Sequence, residues 1–131
     1  HVDVIGTVPS RDLDEAESEW APSDRLAEFL EEGPPPVLVT FGSMVVEDPG
    51  ALAALLVEAA TLAGTRLVVQ SAWSVLDGAS SPLVCAVGAA PHDRLMRLCS
   101  GCVQHGGAGT VAAVESALSA SSSSSGASVA R

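Results

Sequence analysis

The sequence contains no lysine and no tyrosine, and it has only two phenylalanines and two tryptophans among 131 residues. All six cationic side chains are arginines, against sixteen carboxylates, so the formal net charge is −10. A nucleic-acid-binding protein needs a basic surface toward the phosphate backbone, and this charge balance excludes that partner. With so few aromatic residues, the core must be built mainly from Ala, Val and Leu. Such a core favours close packing of helices on a sheet.

Long apolar runs and paired cysteines are also missing. No run approaches the ~20 residues that cross a bilayer, so we expect neither a transmembrane segment nor a signal peptide. Three cysteines, an odd number, indicate reduced thiols and a cytoplasmic location. Cys99, Cys102 and His105 resemble part of a zinc site, but structural zinc takes four ligands, so we predict packing and no metal. Because the sequence begins at His1, we expect a piece of a longer protein.

Helical and strand patterns alternate along the chain. A short strand is predicted at 2–6, and apolar runs predict further strands at 37–41, 65–71, 83–87 and 102–104. Helices are predicted from Ser23-Asp24 to near Gly33, from Asp48-Pro49 to Gly64, and over 92–99 and 108–118. This alternation predicts an α/β fold, with a Rossmann-like parallel sheet and helices on both faces.

The second predicted helix carries large apolar residues at spacings of three and four, which predicts one apolar stripe facing the sheet. The stripe consists of Leu52, Leu55, Leu56, Ala59 and Leu62.

The composition divides the chain into three predicted segments. Ten of the sixteen acidic residues lie within the first 32 positions, so residues 1–22 are interpreted as an acidic interdomain linker with its strand. Residues 23–118 form the predicted Rossmann-like domain. Residues 119–131 are rich in serine and predicted to be disordered.

The stretch from His105 to Thr110 predicts a phosphate-binding turn. It follows a short apolar strand, contains Gly106, Gly107 and Gly109, and leads into small helix-forming residues. Glycines let the backbone approach an anion, and the unpaired N–H groups of the following helix point toward it. Gly42-Ser43, Trp73 and His92 also follow predicted strands. In a parallel sheet one cleft beyond the carboxyl ends can gather them all.

The hexapeptide His-Gly-Gly-Ala-Gly-Thr at 105–110 resembles the signature of UDP-sugar-dependent glycosyltransferases that have two Rossmann-like domains. Sterol glucosyltransferases and bacterial antibiotic glycosyltransferases share it. Segments 39–43, 70–76 and 87–95 match other motifs of that family in the same order, and residues 1–6 resemble its linker strand. The chain therefore resembles an incomplete donor-binding domain of this family.

This resemblance implies a role for each candidate residue. His105 matches the histidine that contacts the donor diphosphate, with Gly106, Gly107, Gly109 and Thr110 completing the site. Three further residues complete the expected set: Ser43 near the diphosphate, Trp73 as a face for uracil, and His92 in the nucleotide pocket. The family transfers glucose from UDP-glucose to a lipid hydroxyl with inversion and needs no cofactor.

Other implications concern what this chain does not carry. The family's catalytic base and acceptor site belong to an N-terminal domain, so we predict no catalytic residue here. The full-length protein can be peripheral at membranes. The family's Gly-x-Pro turn, next strand and sugar-binding Asp-Gln pair do not follow residue 118. Two alternatives stay open: a truncated, non-catalytic remnant, and a small Rossmann-type nucleotide-binding module.

Overall fold

The computed structural model describes residues 20–42, 44–70, 81–112 and 114. Within these ranges four strands form one sheet: β1 (Val37–Thr40), β2 (Leu67–Gln70), β3 (Val84–Val87) and β4 (Gly101–Gln104). The strand order is β3-β2-β1-β4, and every neighbouring pair is parallel. The predicted strand at 2–6, residues 1–19 of the predicted linker and the serine-rich tail lie outside the described ranges, whereas Trp20 packs against the core.

Three helices accompany the sheet: α1 (Asp24–Glu31), α2 (Pro49–Ala63) and α3 (His92–Arg97). Residues 108–112 and 114 are also helical. The longest of the described helices, α2, has 15 residues. Across the described residues, no helix combines the length and the apolar character that a membrane crossing requires.

Helices cover both faces of the sheet. On one face Leu38 and Val68 pack with Leu26 of α1 and Leu95 of α3. On the other face, Ala53 and Ala60 of α2 pack against Val39 and Val69, the next residues of the same strands. Side chains alternate between faces along a strand, so each strand serves two cores. The predicted Rossmann-like α/β architecture is confirmed.

The helix ends follow their local signals. The hydroxyl of Ser23 accepts a hydrogen bond from Leu26 N at 3.4 Å and caps α1. A carboxylate oxygen of Asp48 accepts from Ala51 N at 2.9 Å and caps α2, with Pro49 at the first helical position. Gly64 ends α2 with a left-handed φ of 60°.

Several predicted boundaries are wrong by one or two residues. β1 ends at Thr40, β2 begins at Leu67 and β3 begins at Val84, while β4 begins earlier, at Gly101. Helix α3 ends at Arg97 and not at 99, because two turn hydrogen bonds, from Leu98 N and Cys99 N, tighten its end. β4 also lies at the edge of the described sheet, where Val103 remains 58 % exposed.

The predicted apolar stripe of α2 is wrong at Leu55, Ala59 and Leu62, although Leu56 does pack against the core. Leu55 and Leu62 are 59 % and 82 % exposed, whereas Ala53 and Ala60 are buried, with Leu56 and Val57 packed beside them. Nearly every position of α2 is apolar, so spacing alone could not select the buried face. The alanines face the strands because small side chains allow the helix to lie close to the sheet.

A buried arginine ties α1 to the loop before β1. The guanidinium of Arg66 donates to the carbonyl oxygens of Phe29 and Pro34 and lies over the Phe29 ring, 3.9 Å from its centroid. Phe29 lies in the last turn of α1, whose carbonyl groups lack partners within the helix. Arg66 therefore fixes the end of α1 against the loop that leads into the sheet.

Candidate functional site

The site begins with the positions of β1 and β4 in the sheet. The chain continues from β1 to β2 on one side of β1, whereas β4 lies on its other side. Such a reversal of strand order opens a crevice beyond the carboxyl ends of the two strands. Gly42 lies in the turn after β1, and His105 follows β4 directly. The fold therefore brings these two predicted segments together.

The imidazole of His105 lies between two glycines. A Cβ atom added at Gly42 would be 2.5 Å from Cε1 of His105, and one added at Gly107 would be 2.6 Å from Nε2. Any larger residue at either glycine would have to displace the ring. His105 itself is exposed, and in the described part of the chain its ring nitrogens have no hydrogen-bond partner. The ring is thus positioned by shape, with its polar atoms available.

The other glycines of the turn adjoin open space. Gly106 has a φ of 84°, in the region that favours glycine, and a Cβ at Gly106 or Gly109 would meet no atom within 4 Å. The first backbone bond of the following helix runs from Val111 N to Gly107 O. The N–H groups of residues 108–110, including that of Thr110, therefore have no helical partner and can hold an anion.

His92 lies at a different part of the same sheet edge. It begins α3, which follows β3. The strands β3 and β4 are the two outermost strands of the described sheet. Three strand spacings separate those edges, about 14 Å. The Nε2 atom of His92 is buried and has no hydrogen-bond partner within the described ranges. His92 therefore follows the strand that is farthest, among the described strands, from the one that His105 follows.

Two predicted site residues, Ser43 and Trp73, lie outside the described residues, so their roles remain predictions.

Two glutamines that the sequence analysis did not single out end β2 and β4, namely Gln70 and Gln104. A signal for them exists, because each follows a valine at the end of an apolar strand. A polar residue at that point of a buried strand lies at the binding edge of a parallel sheet.

The cysteines behave as packed thiols. Burial raises the pKa of the Cys99 thiol to about 11, with a smaller effect from Cys102, and burial likewise raises the pKa of Cys102 and Cys85. Metal ligation requires the thiolate, which such environments disfavour. Among the residues that the structure describes, no group of three His, Cys, Asp or Glu side chains can hold a metal ion.

Known sterol 3-beta-glucosyltransferases are similar in sequence to most of this chain. A sterol 3-beta-glucosyltransferase of Arabidopsis thaliana is 36 % identical over 98 residues, which cover 73 % of this chain and 15 % of that protein. Sterol 3-beta-glucosyltransferases of Neosartorya fischeri and Yarrowia lipolytica are 38 % and 36 % identical over 109 and 114 residues. This chain is therefore similar to a segment of the sterol 3-beta-glucosyltransferases.

The alignments cover most of this chain but only a small part of each relative. The Yarrowia alignment covers 77 % of this chain, and the two fungal alignments each cover 8 % of the relative. The chain therefore spans a small part of the length of the curated relatives it matches. No protein-family model matches the sequence.

Proposed function

We propose that this chain is the donor-binding part of a glycosyltransferase, which holds UDP-glucose while its glucose passes to a sterol or similar lipid hydroxyl. The observation that carries the proposal is the His105 ring beside unpaired N–H groups at the carboxyl edge of β4. Support also comes from the names of the relatives, which are sterol 3-beta-glucosyltransferases. Its expected location is the cytoplasm, with a membrane-bound acceptor.

In the proposed reaction the acceptor oxygen attacks the anomeric carbon from the face opposite the diphosphate, and the bond from that carbon to the diphosphate oxygen breaks. The configuration at carbon therefore inverts. Negative charge develops on the departing diphosphate, where the imidazole of His105 and the N–H groups of residues 108–110 can donate to it. Donors held in place before the reaction stabilise such charge more than mobile water does. By family resemblance, the base that takes the acceptor proton belongs to another domain.

Calorimetric titration tests the binding role. The wild-type chain should bind UDP and should bind uridine more weakly, because uridine lacks the diphosphate. His105→Ala should weaken UDP binding about tenfold or more, the usual loss for a hydrogen bond to a charged group, and should leave uridine binding unchanged. A folded wild-type sample that gives no heat at millimolar UDP would contradict the proposal.

Two further measurements address the alternatives. Far-UV circular dichroism with thermal melting shows whether the chain unfolds cooperatively, and a non-cooperative transition would favour the truncated remnant. Competition between UDP and NAD addresses the dinucleotide module, since the strand order β3-β2-β1-β4 also occurs in dinucleotide-binding folds. We expect UDP to bind and NAD to compete poorly, because the glycines at 106, 107 and 109 do not follow the dinucleotide spacing.

A further inference from the structure

The α2 side of the sheet exposes apolar side chains. Two of them, Leu55 and Leu62, belong to α2 itself. Exposed Val103 is in register with Val39, so it lies on the same face of the sheet as α2. Scattered apolar residues are normal on protein surfaces, but several on one side of a domain mark an interaction surface. The α2 side is therefore a candidate docking face.

Charge is distributed in the opposite way. Among the 15 residues of α2 only Glu58 is charged, whereas four of the eight residues of α1 and three of the six in α3 are charged. The helices α1 and α3 pack on the other face of the sheet. Among the described helices, the charged layer and the apolar layer therefore lie on opposite faces.

This separation favours self-association through α2. The chain has a net charge of −10, so two copies repel each other where their acidic residues come close. With the sheet between them, α1 and α2 lie roughly twice the 8–10 Å of directly packed helices apart. That distance exceeds the Debye length at physiological salt, about 8 Å. A second copy at α2 therefore meets little repulsion from α1.

The exposed side of α2 carries leucine and alanine in alternation. Ala51, Leu55, Ala59 and Leu62 are all exposed, at successive spacings of four, four and three, so they form one row along the helix. We call these four residues the outer stripe. Ala60, against the sheet, belongs to the opposite side of the helix. The outer stripe thus presents two large side chains with a small one beside each.

Two copies of the outer stripe are complementary when they run antiparallel. With a two-fold axis near position 57, Leu55 of one copy faces Ala59 of the other, and Leu62 faces Ala51. Each large side chain then enters the space that a small one leaves, as in paired helices with interlocking side chains. A parallel arrangement would set leucine against leucine. A two-fold pairing also closes on itself, which gives a dimer and no longer assembly.

A membrane surface fits this face poorly. Helices that lie on bilayers carry Lys or Arg beside their apolar face, and anionic lipids attract those cations. The α2 helix contains neither residue type, and the acidic residues Glu47 and Asp48 precede it directly. We propose that the outer stripe of α2 binds the outer stripe of a second copy of this chain, which forms an antiparallel dimer. This inference does not depend on the proposed function.

Sedimentation analysis between about 1 and 500 µM tests the dimer, a range chosen because small interfaces are weak. Wild-type protein should change from monomer to dimer across it. Leu62→Glu should weaken dimerisation at least about tenfold, because it places a charge in an apolar contact. Val45→Glu is the matched control: it adds the same charge at an exposed apolar residue outside α2, and it should dimerise like wild type. Far-UV circular dichroism checks that both variants remain folded.

A mixture of two variants tests the antiparallel arrangement. Leu55→Glu and Ala59→Arg should each weaken dimerisation when studied alone. Mixed in equal amounts, they should form a heterodimer more readily than either forms a homodimer, because position 55 of one copy faces position 59 of the other. One new pair of opposite charges then forms, and the second contact retains its native leucine and alanine.

Glu58 provides a test in the opposite direction. It is exposed and lies three residues after Leu55 and four before Leu62, so it flanks the outer stripe. In the antiparallel pair the two copies of Glu58 approach each other near the axis. Glu58→Gln should therefore strengthen the dimer about two- to fivefold, the range for exposed charge pairs.

Several results would overturn the dimer. These are a wild-type chain that stays monomeric throughout, a Leu62→Glu variant that dimerises like wild type, and a Val45→Glu variant weakened as much as Leu62→Glu. A mixture of Leu55→Glu and Ala59→Arg that associates no better than either variant alone would overturn the antiparallel pairing. UDP titration keeps the two proposals apart, because Leu62 lies at the end of α2 that leads into β2 and Leu62→Glu should bind UDP like wild type.

Discussion

Gly42 and His105 are in contact across the junction of β1 and β4. The Cε1 atom of His105 lies 2.5 Å from the position that a Cβ at Gly42 would occupy, so the ring uses space that only glycine leaves free. Gly42 also has a φ of 57°, which favours glycine independently of the ring. The turn after β1 therefore determines where the imidazole after β4 can lie.

Gly42→Ala should cost stability through its left-handed backbone and cost affinity through His105. Gly64→Ala is a matched control, because Gly64 has a φ of 60° and no atom within 4 Å of its Cβ position. Both variants should lose about 1–2 kcal/mol of unfolding free energy in urea, the cost of a left-handed backbone for a residue that carries a Cβ. Only Gly42→Ala should weaken UDP binding, to about the extent of His105→Ala. Equal UDP binding in the two glycine variants would contradict this prediction.

Gly109→Ala separates stability from binding. Gly109 and Gly50 both occupy the second position of a helix, so alanine at either should stabilise the fold by up to about 1 kcal/mol. The added methyl at Gly109 points into open space beside the unpaired N–H groups. UDP affinity should therefore fall for Gly109→Ala and remain unchanged for Gly50→Ala. If both variants bind UDP like wild type, the anion does not lie at this turn.

Arg66→Ala should be the most destabilising arginine substitution among those described. It removes two hydrogen bonds to carbonyl oxygens, those of Phe29 and Pro34, and the contact with the Phe29 ring. We expect a loss of about 2–4 kcal/mol, because the buried carbonyl group of Phe29 is left unpaired and the contact with its ring is lost. Arg97→Ala, at an exposed position, should change the unfolding free energy by less than about 0.5 kcal/mol. Similar losses in the two variants would show that Arg66 does not anchor α1.

Two neighbouring alanines test the packing of α2. Ala60 is fully buried against the sheet, whereas Ala59 is exposed. Ala60→Leu should lower the unfolding free energy by about 1–3 kcal/mol through overpacking. Ala59→Leu should be nearly neutral, and thermal melting of both variants measures the difference. A neutral Ala60→Leu with a destabilising Ala59→Leu would restore the stripe predicted from spacing.

Cys99 should react slowly with thiol reagents in the folded protein. Its pKa is raised from 9.0 to about 11, and the thiolate is the reactive form. Labelling by iodoacetamide at pH 8 should be slower than in urea and should accelerate as the pH approaches 11. The unfolded thiol ionises first, so stability from this group is present below pH 9 and falls as the pH rises toward 11. Cys99→Ser should remove that part of the pH dependence.

The sequence predicts much of this fold because many of its signals are local. Ser23, Asp48 and Gly64 act on hydrogen bonds within a few residues of themselves, and the structure confirms all three. Alternating helices and apolar strands predicted the parallel sheet. The choice between Leu55 and Ala53 for the buried face of α2 could not be predicted, because an almost wholly apolar helix has no periodic contrast.

The sequence alone determined the class of fold, the start of α1 and both ends of α2, because capping and left-handed φ values depend on neighbouring residues. Tertiary structure alone decided that β4 pairs with β1 and that His105 lies against Gly42. It also decided that Gln70 ends a strand two positions from β4 and that His92 follows a strand three positions from it. These relationships join residues far apart in the chain. They depend on strand order and packing, which no local pattern of residues encodes.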